Sequence, residues 1–252
     1  MDKKKEYERL VGDVKASYTN LKPDLNNKKI YMVWCDDCEE INLWTYWQGR
    51  GTLSQRILLV GQDWGSIKGA EEDNFARNII EINKGITGTY ISDSDSVTDN
   101  NLNKLFESIG YHDVMHIRYQ DLFFTNLSLG YRSEGTSGNL KMSWLRKDYD
   151  FFERLVAILQ PEIIICLGRA TFKGVLTALK IKDKPKINRY NDFICSKSNP
   201  AHITCYGKDV SIFGVAHCGT MGTLNRNDKS SISLERQIKD WSKIAAVLKE
   251  HE

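Results

Sequence analysis

The sequence predicts a three-layer α/β/α fold, in which helices cover both faces of a central, mainly parallel sheet of four strands. Four apolar runs have the length of strands, at residues 57–60, 122–126, 163–167 and 210–216. Their side chains are apolar almost throughout, which is typical of parallel strands that are buried on both faces. Helical patterns separate these runs, and one helix at 149–159 leads into the strand at 163 across a short turn that contains Pro161.

The 252 residues fit one domain, and neither an internal repeat nor a linker divides them. Residues 1–50 are predicted to form a helix and an aromatic-rich extension that pack on this single domain, 1–252. The extension crowds Trp44, Tyr46 and Trp47 together. Such a cluster covers the core under a loop or lines a base-stacking pocket, and the sequence leaves both open.

The remaining elements follow from periodicity and turn residues. Apolar positions spaced three and four apart predict helices, and Gly, Pro, Ser, Asp and Asn mark their ends. This reasoning predicts helices at 4–18, 75–82, about 98–110 (capped by Thr98 or Asp99), 149–159, 170–179 and about 234–249, and a short strand at 30–34. It also predicts loops at 84–101 and 130–143, a long irregular basic stretch at 181–209, and Ile238 and Trp241 on the buried face of the last helix.

Composition excludes several classes of protein. Hydrophobic residues make up 41% and charged residues 27%, which is ordinary for a globular domain. The net charge of +2 is too small to indicate nucleic-acid binding, so any basic surface has to come from clustering. No apolar run has the length of a membrane span, and the N-terminus lacks the apolar core of a signal peptide. We expect a cytoplasmic monomer with no membrane contact.

Polar side chains follow three of the predicted strands directly: Gln62 and Asp63, then Asn126, then His217. Because parallel strands end at one edge of a sheet, these groups should meet there. Together they suit cleavage of a bond between a sugar and a base. A carboxylate positions a water, an amide reads a base edge, and a histidine hydrogen-bonds the departing base.

Four segments in this order, GQD, FTN, PEIIICLGRA and HCGTMGTLNR, resemble the uracil-DNA glycosylase superfamily across residues 56–226. GQD matches the start of the first motif of the classical uracil enzymes, GQDPYH. The resemblance implies a water-activating Asp63, a base-reading Asn126, a leaving-group-stabilising His217 and a backbone donor at Gln62. It also implies a stacking aromatic, at Phe75 or Trp64. The DNA-contacting residues that it implies are Ser66 in the first motif, Met221 or Leu224 as a wedge in the duplex, and Arg226 and Lys229 on phosphates.

The chain departs from the family pattern after GQD. Trp64, Gly65 and Ser66 stand where the classical motif continues Pro-Tyr-His. That tyrosine rejects the thymine methyl, and Gly65 has no side chain, so the pocket should admit pyrimidines with a substituent at C5. The Asn126 amide does not distinguish uracil from cytosine, since it can be turned either way.

Two of the six cysteines form a CxxC, Cys35 and Cys38. Some superfamily members hold an iron–sulfur cluster that begins with such a pair, but the remaining cysteines here do not match that pattern. Cys195 and Cys205 could complete a zinc site of four thiolates. A single CxxC is a weak signal, so we expect no metal and no cofactor.

These features lead to two hypotheses. The first is a monofunctional DNA glycosylase that flips uracil or a C5-modified pyrimidine from DNA and leaves an abasic site, in repair or in defence against phage DNA. The second is a non-catalytic module that binds modified bases or nucleotides on the same fold. Asp63 favours the first, because binding an anionic backbone does not need a carboxylate.

Overall fold

The computed structural model describes residues 2–19, 32–33, 43, 48, 52–63, 96–132, 142–182, 184–185, 189–196, 199–205 and 207–250. Its strands are β1 (Met32–Val33), β2 (Ile57–Gly61), β3 (Leu122–Asn126), β4 (Tyr131–Arg132), β5 (Ile163–Leu167), β6 (Ala201–Cys205) and β7 (Lys208–Val215). Its helices are α1 (Lys3–Thr19), α2 (Val97–Glu107), α3 (Met142–Leu145), α4 (Tyr149–Leu159), α5 (Arg169–Ala178), α6 (Tyr190–Cys195), α7 (Thr220–Arg226) and α8 (Glu235–Glu250). A 3₁₀ turn, Arg146–Asp148, joins α3 to α4. The helix predicted at 75–82 lies outside the described residues.

The central sheet has five strands in the order β3-β2-β5-β7-β6. The four predicted strands are present and parallel, and β6 adds a fifth that pairs antiparallel with β7. The prediction of four strands was therefore one short. Strand β6 lies in the stretch that the sequence predicted to be irregular. Nothing in the local sequence indicated it, because an edge strand with one exposed face carries no continuous apolar run.

Helices cover both faces of the sheet, which confirms the three-layer architecture. On one face, Leu58, Phe123 and Ile164 pack with α1, α4 and α5. On the other face, Leu59 and Phe124 pack with α2 and α8. The two sets alternate along each strand because successive side chains of a strand point to opposite faces. No helix in the described ranges is both long and apolar enough to cross a bilayer.

Four elements differ from the predictions in detail. Helix α2 is capped by Ser96, whose Oγ accepts a hydrogen bond from the Asp99 N–H at 3.4 Å, and not by Thr98 or Asp99. Ile238 of α8 is 40% exposed, whereas Trp241 is fully buried as expected. Helix α6 stands in the stretch predicted to be irregular. Strand β1 lies within the predicted strand at 30–34. It pairs antiparallel with β4, and β4 lies in the stretch at 130–143 that was predicted to be a loop.

Candidate active site

The candidate site lies where the direction of chain winding changes in the sheet. From β2 the chain passes to β3 on one side and later to β5 and β7 on the other. The carboxyl ends of such strands border a crevice at the switch point, the usual ligand site in open α/β sheets. Gln62 and Asp63 follow β2, Asn126 ends β3, and His217 stands two residues beyond β7.

Strand spacing separates the ends of β2 and β7 by about 10 Å, since β5 lies between them. Gly168 follows β5 with a φ of +90°, a conformation that favours glycine. A Cβ at Gly168 would lie 3.7 Å from the Cβ of His217. Glycine therefore leaves the end of β5 without a side chain beside His217.

Asn126 is buried beside the end of β2. The parallel register places it directly opposite Gly61. A Cβ on Gly61 would lie closer than 3.0 Å to Asn126 Oδ1, so this glycine makes the room in which the amide sits. Beyond the strand, the Leu127 N–H donates to the Gly61 carbonyl at 2.9 Å and the Ser128 N–H to the Gln62 carbonyl at 3.0 Å. These bonds bring Asn126 and Gln62 to the same edge.

His217 is held as a neutral imidazole with a defined tautomer. Burial lowers its pKa, and the Asp63 carboxylate acts on that pKa in the opposite direction, so the two side chains are within electrostatic reach. The Gly219 N–H donates to His217 Nδ1 at 3.0 Å. A backbone N–H only donates, so Nδ1 carries no proton and Nε2–H is the donor of the neutral ring.

Several residues that the sequence did not single out hold the His217 loop. The Tyr190 hydroxyl of α6 accepts from the His217 N–H at 3.0 Å, and Asn101 Nδ2 of α2 donates to the Cys218 carbonyl at 2.7 Å. A Cβ on Gly222 would lie 2.7 Å from the carbonyl carbon of His217. The glycines in HCGTMG were a readable signal of close packing, whereas nothing in the local sequence of Tyr190 or Asn101 indicated their role.

Asp63 is partly exposed at the mouth of the crevice. Gln62 Nε2 donates to Asp63 Oδ2 at 3.0 Å. This bond orients the carboxylate. It also occupies the Gln62 side chain, in agreement with a role for Gln62 that uses its backbone.

The predicted DNA-contacting residues beyond His217 differ in exposure. Met221, in the first turn of α7, is 67% exposed, and Lys229 is exposed after the end of that helix. Leu224 is half-buried. Arg226 is paired within the protein. Its Nε and one terminal nitrogen donate to the two carboxylate oxygens of Asp240 at 2.6 and 2.9 Å, with side chains 12% and 9% exposed. The guanidinium is therefore held against α8, and its contact with a phosphate stays a prediction.

Other predicted site residues lie outside the described part of the chain: Trp64, Gly65, Ser66, Phe75, Cys35 and Cys38. Cys195 is exposed at the end of α6, and Cys205 is a half-buried free thiol at the end of β6. Among the described residues no group of three or more His, Cys, Asp or Glu side chains could hold a metal. The four-thiolate zinc site includes Cys35 and Cys38, so it stays a prediction.

The arrangement offers a carboxylate, a neutral N–H donor and an amide around one crevice. It can therefore hold a water, stabilise negative charge on a departing group, and read a ring with both donors and acceptors. A comparison with models of known protein families gives no match, and neither does a comparison with curated protein sequences.

Proposed function

We propose that this protein is a monofunctional DNA glycosylase that hydrolyses the N-glycosidic bond of a flipped pyrimidine and leaves an abasic site. One observation carries the proposal. The neutral Nε2–H donor of His217, the Asp63 carboxylate and the Asn126 amide stand at the carboxyl ends of three parallel strands of one sheet. The order of the motifs around these residues, which resembles the uracil-DNA glycosylase superfamily, supports the same function.

The chemistry divides between the two sides of the crevice. As the bond from the base to C1′ breaks, its electron pair stays with the base and positive charge develops on the sugar. The Nε2–H of His217 stabilises the negative charge that reaches a carbonyl oxygen of the base. The Asp63 carboxylate stabilises the sugar cation and accepts a proton from the water that attacks C1′. No lysine nucleophile is involved, so the DNA strand is not cut by the protein.

The base is a pyrimidine that Asn126 recognises by its Watson–Crick edge. An amide supplies one acceptor and up to two donors, and it fits uracil in one orientation and cytosine in the other. Gly65 in the first motif carries no side chain, which favours substrates with a C5 substituent, such as the hypermodified cytosines of phage DNA. Extrusion of the nucleotide exposes the base to these groups and costs less where the base is mispaired.

Contacts to DNA come from the exposed residues beyond His217. The exposed side chain of Met221 fills the gap that the flipped nucleotide leaves, and Lys229 supplies a cation for a phosphate. Arg226 takes no part in this scheme because Asp240 occupies it.

The test is an alkali-nicking assay on oligonucleotides that carry uracil, 5-methylcytosine, 5-hydroxymethylcytosine or glucosylated 5-hydroxymethylcytosine. We expect excision of at least one of these bases, and Asp63→Asn should lower the rate by about 10²- to 10⁴-fold, the range for loss of a general base. Asp150→Asn, an exposed carboxylate on α4, is the matched control and should excise at the wild-type rate.

A chain that yields no abasic site from any of these oligonucleotides, and whose Asp63→Ala variant binds them as tightly as wild type, is not a glycosylase. That outcome would favour a non-catalytic module that binds modified bases.

A further inference from the structure

A buried carboxylate lies behind the turn that follows Asn126. Asp148, at the junction of the 3₁₀ turn with α4, is fully buried. Its Oδ2 accepts three hydrogen bonds, from the Tyr18 hydroxyl at 2.5 Å, the Leu129 N–H at 2.8 Å and the Ser128 hydroxyl at 3.3 Å. An ionisable group is rarely buried so completely unless it is paired, so this carboxylate has a specific task.

Two of those three donors belong to the turn next to the candidate site. Ser128 and Leu129 are the second and third residues after Asn126. The front of the same turn is bonded to the end of β2, through the Leu127 N–H on the Gly61 carbonyl and the Ser128 N–H on the Gln62 carbonyl. Asp148 therefore holds Ser128 and Leu129, in the turn that directly follows Asn126. The backbone of the same turn is bonded to Gln62.

The third donor connects this turn to the N-terminal helix. Tyr18 lies in the last turn of α1, and its ring is fully buried beneath Lys147, whose Nζ lies 4.0 Å from the ring centroid. Burial and the contact with Lys147 thus hold the ring beside the carboxylate. Such rigid support is what a binding group requires, because its rotamer is only as well defined as the backbone that carries it.

We propose that Asp148 is a positioning residue for Asn126. It acts through the 127–129 turn, and it sets the place of the Asn126 amide at the crevice without touching a bound base. The proposal rests on the proposed function in so far as Asn126 reads a base, but the position of the amide can be measured without any substrate.

The chemistry of Asp148 provides a conservative variant. Its Oδ1 is buried and has no hydrogen-bond partner in the described part of the protein. In Asp148→Asn the amide oxygen keeps the three acceptor bonds, and the amide nitrogen takes the place of Oδ1. Asp148→Leu has a similar size and shape but accepts no hydrogen bond, so it leaves the Leu129 N–H and two hydroxyls without their acceptor.

The experiment compares these two variants in the full chain by kcat, KM and the side-chain NH₂ resonances of Asn126, which Asn126→Ala identifies by their loss. We expect Asp148→Leu to lower kcat at least tenfold, to leave KM within twofold, and to shift or broaden the Asn126 resonances. Asp148→Asn should restore kcat to within twofold of wild type and return the resonances to their positions.

Loss of stability alone is controlled by Ile244→Ala, which removes a fully buried side chain of α8 on the opposite face of the sheet. Assayed at the same interval below its unfolding midpoint, Ile244→Ala should keep the wild-type kcat and Asn126 resonances. If Asp148→Leu does not fold, Tyr18→Phe takes its place, since it removes one of the three donors. It should lower kcat and shift the Asn126 resonances in the same direction, by a smaller amount.

The proposal is overturned if Asp148→Leu, or Tyr18→Phe in its place, leaves both kcat and the Asn126 resonances unchanged, or if Ile244→Ala alters them equally. If the wild-type chain excises no base, the proposed function fails, but the resonances still decide whether Asp148 positions Asn126.

Discussion

Gly61→Ala tests whether the placement of Asn126 controls the reaction. Gly61 has a backbone conformation open to alanine, since the positive-φ glycines described are Gly110, Gly168 and Gly207. A new Cβ would lie closer than 3.0 Å to Asn126 Oδ1 and 3.4 Å from its Cγ. Ordinary separation requires the amide to move by about 1 Å. The backbone atom nearest this Cβ, the Thr125 carbonyl oxygen, is 3.7 Å away and need not move.

The size of the effect follows from this displacement. A misplacement of about 1 Å at a positioned group costs about 10²-fold in rate, or about 2.7 kcal/mol of transition-state stabilisation. We expect Gly61→Ala to lower the excision rate by that amount in the alkali-nicking assay. The unfolding midpoint of Gly61→Ala should change little, because only the Asn126 side chain has to move and the backbone keeps its position.

Two controls sharpen this measurement. Gly12→Ala lies at an exposed position of helix α1 with no atom within 4 Å of the new Cβ, and it should excise normally while gaining about 1 kcal/mol of stability. In the Asn126→Ala background the clash is absent, so adding Gly61→Ala should cost nothing more. An equal loss in both backgrounds, or a wild-type rate for Gly61→Ala, would refute the reasoning.

Three further predictions concern the His217 loop and its surroundings. Burial lowers the pKa of His217, so below pH 6.5 this imidazole binds more protons in the unfolded chain than in the folded one. The contribution of His217 to stability should therefore fall as the pH is lowered below 6.5, and His217→Gln should remove up to about 1 kcal/mol per pH unit from the slope measured in urea titrations. Arg226→Ala leaves the buried Asp240 carboxylate without this ion-pair partner. It should cost about 3 kcal/mol of stability without changing the salt dependence of DNA binding. Lys229→Ala should do the reverse, with the salt slope falling by about 1; equal slopes for the two variants would contradict the assignment. Tyr190→Phe removes the acceptor of the His217 N–H and should lower excision about tenfold, with about 1 kcal/mol less stability; unchanged excision would argue against its role.

The strands that the sequence located well are those buried on both faces. Strands β2, β3 and β5 are continuous apolar runs that end abruptly in glycine or polar residues, so composition alone marks their bounds to within one residue. Strand β6 has one exposed face and pairs at the sheet edge, and α6 is only six residues long. Neither has a local pattern strong enough to stand out, because their stability comes from contacts with distant parts of the chain.

The sequence placed the predicted site residues at strand ends, and the structure has Asn126 as the last residue of β3 and Asp63 and His217 two residues beyond β2 and β7. The sequence did not show the pairing of Arg226, because a basic residue beside a loop looks the same whether it faces solvent or a buried partner. Only the packing of α7 against α8 brings Asp240 to its guanidinium.

The sequence by itself determined where the four parallel strands end to within one residue, because burial on both faces of a parallel sheet forces a continuous apolar run that stops where polar groups begin. The tertiary structure decided the strand order, the approach of Gly168 to His217, the tautomer of His217 and the buried carboxylate behind Asn126. Each of these depends on atoms brought together from distant positions in the chain. Hydrogen bonds and close contacts act over a few ångströms in space, and such distances are fixed only when the chain has folded.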